Sequence, residues 1–326
     1  MKKNLILFLV LSLGVALNAG ANEFTKFYSI QGAFYPESKP VSSDSGKVHF
    51  APVTGPYHSI EAMVSLGVEY KIPAPLGTSA MLKDSFVSIS PVINISPVHA
   101  ETALGISFLP LPFLKIGGIS SIGSGWNMGE IYGLREYDDS ASGGSVYKNA
   151  TFGKRWIYNA GAYACFMFDA GYVFPGEWTH VVFLANYKVF YEGMTGMGKG
   201  EPWVYKTEFS KVNGLQEEMN FLLGYQMPLK LKMIGINYNY SGHIYGSDYG
   251  DFDSNYNGEF RTLFISPMAQ IDVGQKNELY ILARFKSIRS FKESHKADEP
   301  EKEILLTQSG REWLFSSLAV SFTHYF

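Results

Sequence analysis

The chain has 326 residues, with 27 basic against 30 acidic side chains and a single cysteine, Cys165. A near-neutral charge with no basic block excludes a nucleic-acid partner, and a lone cysteine excludes a disulfide scaffold. Aromatic residues make up 15% of the chain, yet no apolar run beyond the N-terminus is long enough for a transmembrane helix. At that N-terminus, Lys2 and Lys3 precede the apolar run Leu5 to Leu17, and Ala19-Gly20-Ala21 follows. This is the pattern of a secretory signal peptide spanning residues 1–21, with residues 22–326 as one mature domain. No cysteine stands at the cleavage point to carry a lipid.

Beyond it come about twelve segments of period-two alternation, at residues 27–35, 57–72, 81–96, 98–109, 113–123, 155–173, 179–192, 215–227, 231–245, 260–272, 278–290 and 312–326. In the second, Ile60, Ala62, Val64, Leu66, Val68, Tyr70 and Ile72 oppose Glu61, Met63, Ser65, Gly67, Glu69 and Lys71. In the eighth, Met219, Phe221, Leu223 and Tyr225 oppose Gln216, Glu218, Asn220 and Gln226, with Leu222 breaking the pattern. A helical period would scatter these groups around an axis, so the segments read as strands. Short turns rich in proline and glycine, such as Pro73 to Gly77, Phe174 to Trp178 and Gly274 to Asn277, alternate with long polar stretches near residues 36–56, 124–154, 193–214, 246–259 and 291–311. A tight link near Ile95 to Pro97 is the exception.

A soluble β-sandwich also alternates, but its strands run to about five or six residues. Segments this long, joined by connections of alternating length, predict an all-β fold: a transmembrane antiparallel β-barrel of about twelve strands. The last segment carries Leu314, Leu318, Val320, Phe322 and Phe326 on one face, with Ser316 and His324 as exceptions. A barrel must pair its last strand with its first, because in lipid an unpaired edge leaves backbone groups unsatisfied.

With its leader, its alternation and this terminal strand, the chain resembles bacterial outer-membrane β-barrel proteins. The resemblance implies residence in the outer membrane, contact with its lipid, and Leu318, Val320, Phe322 and Phe326 as an assembly signal read by the barrel-insertion machinery.

If the apolar parity faces lipid, the other parity points inward. It contains Glu61, Glu69, Lys71, Asp84, Glu101, Asp169, Lys188, Glu218, His243, Arg284 and Lys286, together with Asn186, Asn220, Asn237, Asn239 and Tyr280. A lysine or arginine at the bilayer midplane would cost about 2–4 kcal/mol on the lipid face, which forces the inward assignment. Both signs of charge are present, so the groups either line a hydrated pore or pair and plug it. The function expected is porin-like passage of a small polar solute. The alternative is a surface-exposed structural or adhesin-like barrel with a blocked lumen, and a barrel-embedded hydrolase ranks third.

No catalytic constellation emerges. None of the seven histidines begins a His-x-Ser sequence, and nothing selects a serine partner for His99 or His180. The acidic stretch Asp248 to Glu259 lacks the ligand spacing of a calcium loop and reads as solvated loop charge. Cys165 reads as a small packing residue, and Trp156, Tyr172, Trp178, Tyr191 and Trp313 as interfacial girdle. No cofactor or metal is expected.

Overall fold

The computed structural model describes residues 23–38, 48–51, 53–128, 133–138, 147–206, 208–293 and 300–326. The segment read as a signal peptide lies outside them. The described strands are β1 (Glu23–Ser38), β2 (His49–Phe50), β3 (Val53–Pro73), β4 (Phe86–Ser96), β5 (His99–Leu111), β6 (Leu114–Gly125), β7 (Leu134–Tyr137), β8 (Tyr147–Asn149), β9 (Ile157–Asp169), β10 (Val181–Met194), β11 (Trp203–Tyr205), β12 (Glu208–Lys211), β13 (Gly214–Gln226), β14 (Leu231–His243), β15 (Thr262–Asp272), β16 (Asn277–Phe291) and β17 (Gln308–Tyr325).

Twelve of them, β1, β3, β4, β5, β6, β9, β10, β13, β14, β15, β16 and β17, pair antiparallel in that order, and β17 returns to pair with β1. The sheet is a closed barrel of twelve strands, one for each alternating segment of the sequence. Both described chain ends lie at one end of it, together with the short turns. The described parts of the long connections 126–156, 195–213, 244–261 and 292–307 lie at the far end.

The two faces of the sheet are inverted relative to a protein in water. Along β4, Ser88, Ser90, Asn94 and Ser96 are buried, while Ile89, Ile93 and Ile95 are 36–49% exposed. Exposing isoleucine to water forgoes about 1.5–3 kcal/mol per side chain, and the same pattern on nearly every strand would be untenable there. Ile30, Leu66, Ile106, Ile122, Leu223 and Ile236 continue the outward apolar belt around the barrel. At its rims, Tyr172, Trp178, Trp156 and Tyr191 are exposed, as girdle residues should be.

Closure is made by eight residue pairs, from Phe27 opposite Tyr325 to Phe34 opposite Leu318. Phe326 donates its backbone N–H to the carbonyl of Lys26 at 3.0 Å, so the seam is tied to its last residue. Towards the far end β1 leaves β17, and β2 takes its place: His49 and Phe50 pair parallel with Glu312 and Trp313, and Ala51 N–H donates to the Trp313 carbonyl. His49 also sits 3.0 Å from the buried Glu312 carboxylate.

The wall departs from the sequence reading in three places. The third segment begins at Phe86 rather than 81, because Leu82 and Lys83 donate back to the Ser79 carbonyl and form a turn; Asp84 therefore sits in that turn and not on the wall. The sixth ends at Asp169, whose carboxylate accepts the Gly171 N–H and starts a short 3-10 turn over Ala170–Tyr172. In β17 the pairing shifts between Arg284 opposite Ser317 and Phe285 opposite Phe315. This bulge flips the parity, so Leu314 shares the inward side with buried Glu312 and does not share a face with Leu318.

Described parts of the long connections are folded. β12, β11, β7 and β8 form a separate four-stranded sheet, drawn from two connections, over the far end. Leu134, Trp203 and Tyr205 make its core with Ile157 and Met194 from the barrel rim. Beside it Val212, Tyr249, Tyr256, Phe291 and Ile304 form a second buried cluster.

The seam can be tested by cross-linking. Ala33 and Ala319 are direct partners across β1 and β17. With Cys165→Ala as background, Ala33→Cys/Ala319→Cys should form a disulfide that changes the mobility of the boiled chain until reductant is added. Ala33→Cys/Ser317→Cys, one same-face position out of register, should not.

Candidate functional site

The lumen is the enclosed surface that the strands build together, and β10 gives a section through it. From the chain-end side to the far end, its inward residues are Val182, Leu184, Asn186, Lys188, Phe190, Glu192 and Met194, all buried. β13 places Leu222 opposite Leu184, Asn220 opposite Asn186, and Glu218 opposite Lys188. The Lys188 ammonium lies 3.0 Å from the Glu218 carboxylate and 3.9 Å from the centre of the Phe190 ring. On β14, Asn239 donates to Glu218 and Asn237 to Asn220, each at 2.9 Å. Charge here is neutralised along the wall, between neighbouring strands, rather than across the barrel.

The opposite wall carries Glu61, Glu69 and Glu101, three of the acids read as inward. Tyr35 donates to Glu61 at 2.6 Å, Ser65 donates to Asn94 at 2.7 Å, and Asn94 donates to Glu101 at 3.3 Å. Lys71 bonds Glu23 at 3.1 Å, with Glu69 at 4.0 Å and the Phe86 ring beneath it. Arg284 is 8% exposed and within electrostatic reach of Glu61. Lys286, opposite Phe264 on β15, lines a far-end cavity with His243.

Between the polar layer and the chain-end mouth lies an apolar cluster, bordered by Lys71, Ser88, Ser107 and Lys115. Phe86, Leu109, Cys165, Met167, Leu184, Leu222, Met233, Met268, Tyr280, Leu282, Ala33 and Ala319 make one packed cluster. Ten of the twelve barrel strands contribute to it, and Leu184, Leu222 and Met233 are 1–2% exposed. Leu222, the residue that broke the eighth segment's pattern, is thus part of a septum inside the barrel, and Cys165 packs in the same layer. Below the septum the mouth opens into a bowl of about 1360 Å³ lined by Lys230, Lys232, Asp272, Lys276 and Glu278.

The far end is closed by the cap. Lys211 of β12 is held between Glu192 of the barrel wall, at 2.9 Å, and Glu208, at 3.1 Å, while Gln216 donates to Glu192 at 3.0 Å. Burial alone would pull the Lys211 ammonium down; the Glu192 and Glu208 carboxylates outweigh it and hold the group above the ordinary lysine value. Lys206, at the turn between β11 and β12, has a φ of 60° and donates its N–H to the Gly133 carbonyl. It lies within electrostatic reach of Glu61 and Glu101, and Tyr205 beside it packs edge-on against His99. The hairpin tip therefore packs against the end of β5, where His99 begins that strand. These cap residues escaped the sequence reading, and the short alternation of Trp203 and Tyr205 in a polar stretch was the available signal.

The histidines do not converge. His99 Nδ1 bonds Ser96 in the tight link between β4 and β5, and its buried Nε2 has no hydrogen-bond partner among the described residues. His180 pairs with Asp169 at 2.8 Å at the chain-end rim. In the acidic stretch, Asp248 is 3.0 Å from His243 and Asp253 accepts the Gly258 N–H, so these carboxylates serve the local turns. Of the residues read as an assembly signal, Leu318 and Val320 are about 40% exposed on the outer face, and Phe326 is 66% exposed. Phe322 stands opposite Ile30, and His324 fits between Tyr28 and Phe326 while bonding Asn277 at 2.8 Å.

Breaking the Lys188–Glu218 pair tests the polar layer. Lys188→Met strands a buried carboxylate and should destabilise the folded barrel by about 3–5 kcal/mol, read by urea unfolding in phospholipid vesicles. Adding Glu218→Gln removes the charge but keeps an acceptor for Asn239, so the double variant should recover most of the loss.

No protein-family model matches the chain, and no curated protein matches it. Among solved structures it is similar to the β domain of the Bordetella autotransporter BrkA, at 7% identity over 93% of this chain and 100% of that one, with a TM-score of 0.39. The translocator domain of autotransporter NalP from Neisseria meningitidis matches at 12% identity over 99% and 95%, with a TM-score of 0.38. The outer-membrane channel DcaP of Acinetobacter baumannii matches at 9% identity over 94% and 97%, with a TM-score of 0.35. The closed ladder, the apolar outer belt and the polar interior are together the architecture of an outer-membrane-type β-barrel.

Proposed function

We propose that the chain is exported by its N-terminal leader and inserted in the outer membrane by the barrel-insertion machinery, which reads the closing strand. In its resting state the barrel has a closed lumen and presents the folded far-end cap outwards as its working surface. The observation that carries this reading is the septum. Inward side chains from ten strands pack into one buried cluster, with Leu184 and Leu222 each 1% exposed, which supports a lumen closed to a water column. The cap supports it from the other side, because Lys211 anchors the β11–β12 hairpin to Glu192 of β10. The reading assigns no catalysis to the chain.

Porin-like passage of a small polar solute is the second reading, and the asparagine ladder favours it. Neither amide atom of Asn186 has a hydrogen-bond partner among the described residues, and the same holds for Asn220 Nδ2 and Asn237 Oδ1. Buried polar groups of this kind require water or a polar solute to complete them. A channel would then need the septum and the hairpin to yield together.

Conductance in planar bilayers separates the two. The purified wild type should insert without current steps, whereas Leu184→Gly/Leu222→Gly should conduct, because the variant removes two of the most buried septum side chains. Steady wild-type conductance, unchanged in the double variant, would overturn the closed-lumen reading in favour of the channel.

A further inference from the structure

A cavity of about 170 Å³ lies between the far end of the barrel wall and the cap. Strands β13 to β16 form one side, and β12, the 244–261 connection and the turn at Pro300–Leu305 form the other. An apolar cavity of about 150 Å³ holds a benzene-sized molecule, so this one accommodates roughly six to ten heavy atoms. Its lining combines aromatic faces, from Phe260, Phe264, Tyr249 and Tyr256, with charged and hydroxyl groups.

The hydrogen-bonding balance of that lining is one-sided. Both of its carboxylates are engaged: Glu208 with Lys211 at 3.1 Å, and Glu303 with the Tyr256 hydroxyl at 3.1 Å. Lys211 is also bonded to Glu192. Arg289 donates to the carbonyls of Tyr256 and Asn257 and stacks 3.8 Å from the Tyr256 ring centre. His243 is bonded to Asp248. Two groups remain over. Lys286 faces the cavity with no carboxylate paired to it among the described residues, its ammonium 5.9 Å from the Phe264 ring centre. Ser241 is 1% exposed, lines the same cavity, and its hydroxyl has no hydrogen-bond partner among the described residues. A buried hydroxyl without a partner is unfavourable, so the pair is matched to a ligand that supplies acceptors.

We propose that this cavity binds a small organic carboxylate, with its oxygens on the Lys286 ammonium and the Ser241 hydroxyl and its apolar body among the rings of Phe260 and Phe264. A ligand ammonium meets the like charges of Lys286 and Arg289, and a neutral amide meets the rings but not the charge. The inference deepens the reading of the far-end cap as the working surface, for which it names a ligand class.

Benzoate, benzamide and benzylammonium are close in size and differ in charge, and their heats of binding to the detergent-folded full chain test the proposal. Benzoate should bind saturably at one site per chain, with benzamide and benzylammonium at least tenfold weaker. Lys286→Gln should weaken benzoate at least tenfold and Lys286→Arg should largely restore it, while Ser241→Ala costs several-fold. Heat-modifiable gel migration establishes that each variant is folded. Benzamide binding as tightly as benzoate, or folded Lys286→Gln retaining wild-type affinity, overturns the proposal. Wild-type conductance with benzoate binding intact would sink the closed lumen and leave this site standing. A folded, non-conducting chain that does not bind benzoate would remove the site alone.

Discussion

Every other feature of this molecule depends on a sheet that closes on itself. A peptide group facing hydrocarbon has no water to bond, so each N–H and C=O must find its partner inside the sheet. Here that requirement is met by returning β17 to β1 over Phe27 to Phe34, and where β1 veers away, by the two-residue β2 filling the gap beside Glu312 and Trp313. The patch is short, yet without it the upper edge of β17 would face outwards unpaired.

Closure then decides what the side chains must do. Once the sheet closes on itself, one parity of each strand belongs to an outer surface and the other to an interior. The outer parity is isoleucine, leucine, valine and phenylalanine. The inner parity divides along the axis: an apolar septum near the chain ends, a polar layer in the middle, and charged anchors for the cap above. Buried ions in the middle layer are stable only as bonded sets, and Lys188 with Glu218 and Asn239 forms such a set. Replacing a septum residue by glycine removes packing, whereas replacing Lys188 strands a charge, so the two layers respond to mutation through different physics.

The cap extends the same logic. Its hairpin is tied to Glu192 of the wall through Lys211, and the cavity between cap and wall follows from that attachment. A loop with no basic residue at that position would have no reason to fold inwards. The cavity containing Lys286 is therefore a product of two elements far apart in the chain, a wall strand and a cap strand held together by ion pairs.

The sequence by itself determined the twelve strands, their inward and outward faces, and the alternation of short and long connections, because a period of two is a local property that each segment states independently. It even marked Leu222 as an exception, though not the reason for it. Only the tertiary structure decided which inward residues meet: that Leu222 faces Leu184 in a septum, that Lys188 pairs along the wall with Glu218, and that a bulge at Phe315 to Ser317 turns Leu314 away from the face of Leu318. It alone showed that polar stretches read as loops fold into a capping sheet around Trp203 and Tyr205. Parity tells a side chain which way to point; depth along the axis, register and the identity of its neighbours arise from closing the sheet, which brings together residues as distant as Ala33 and Ala319.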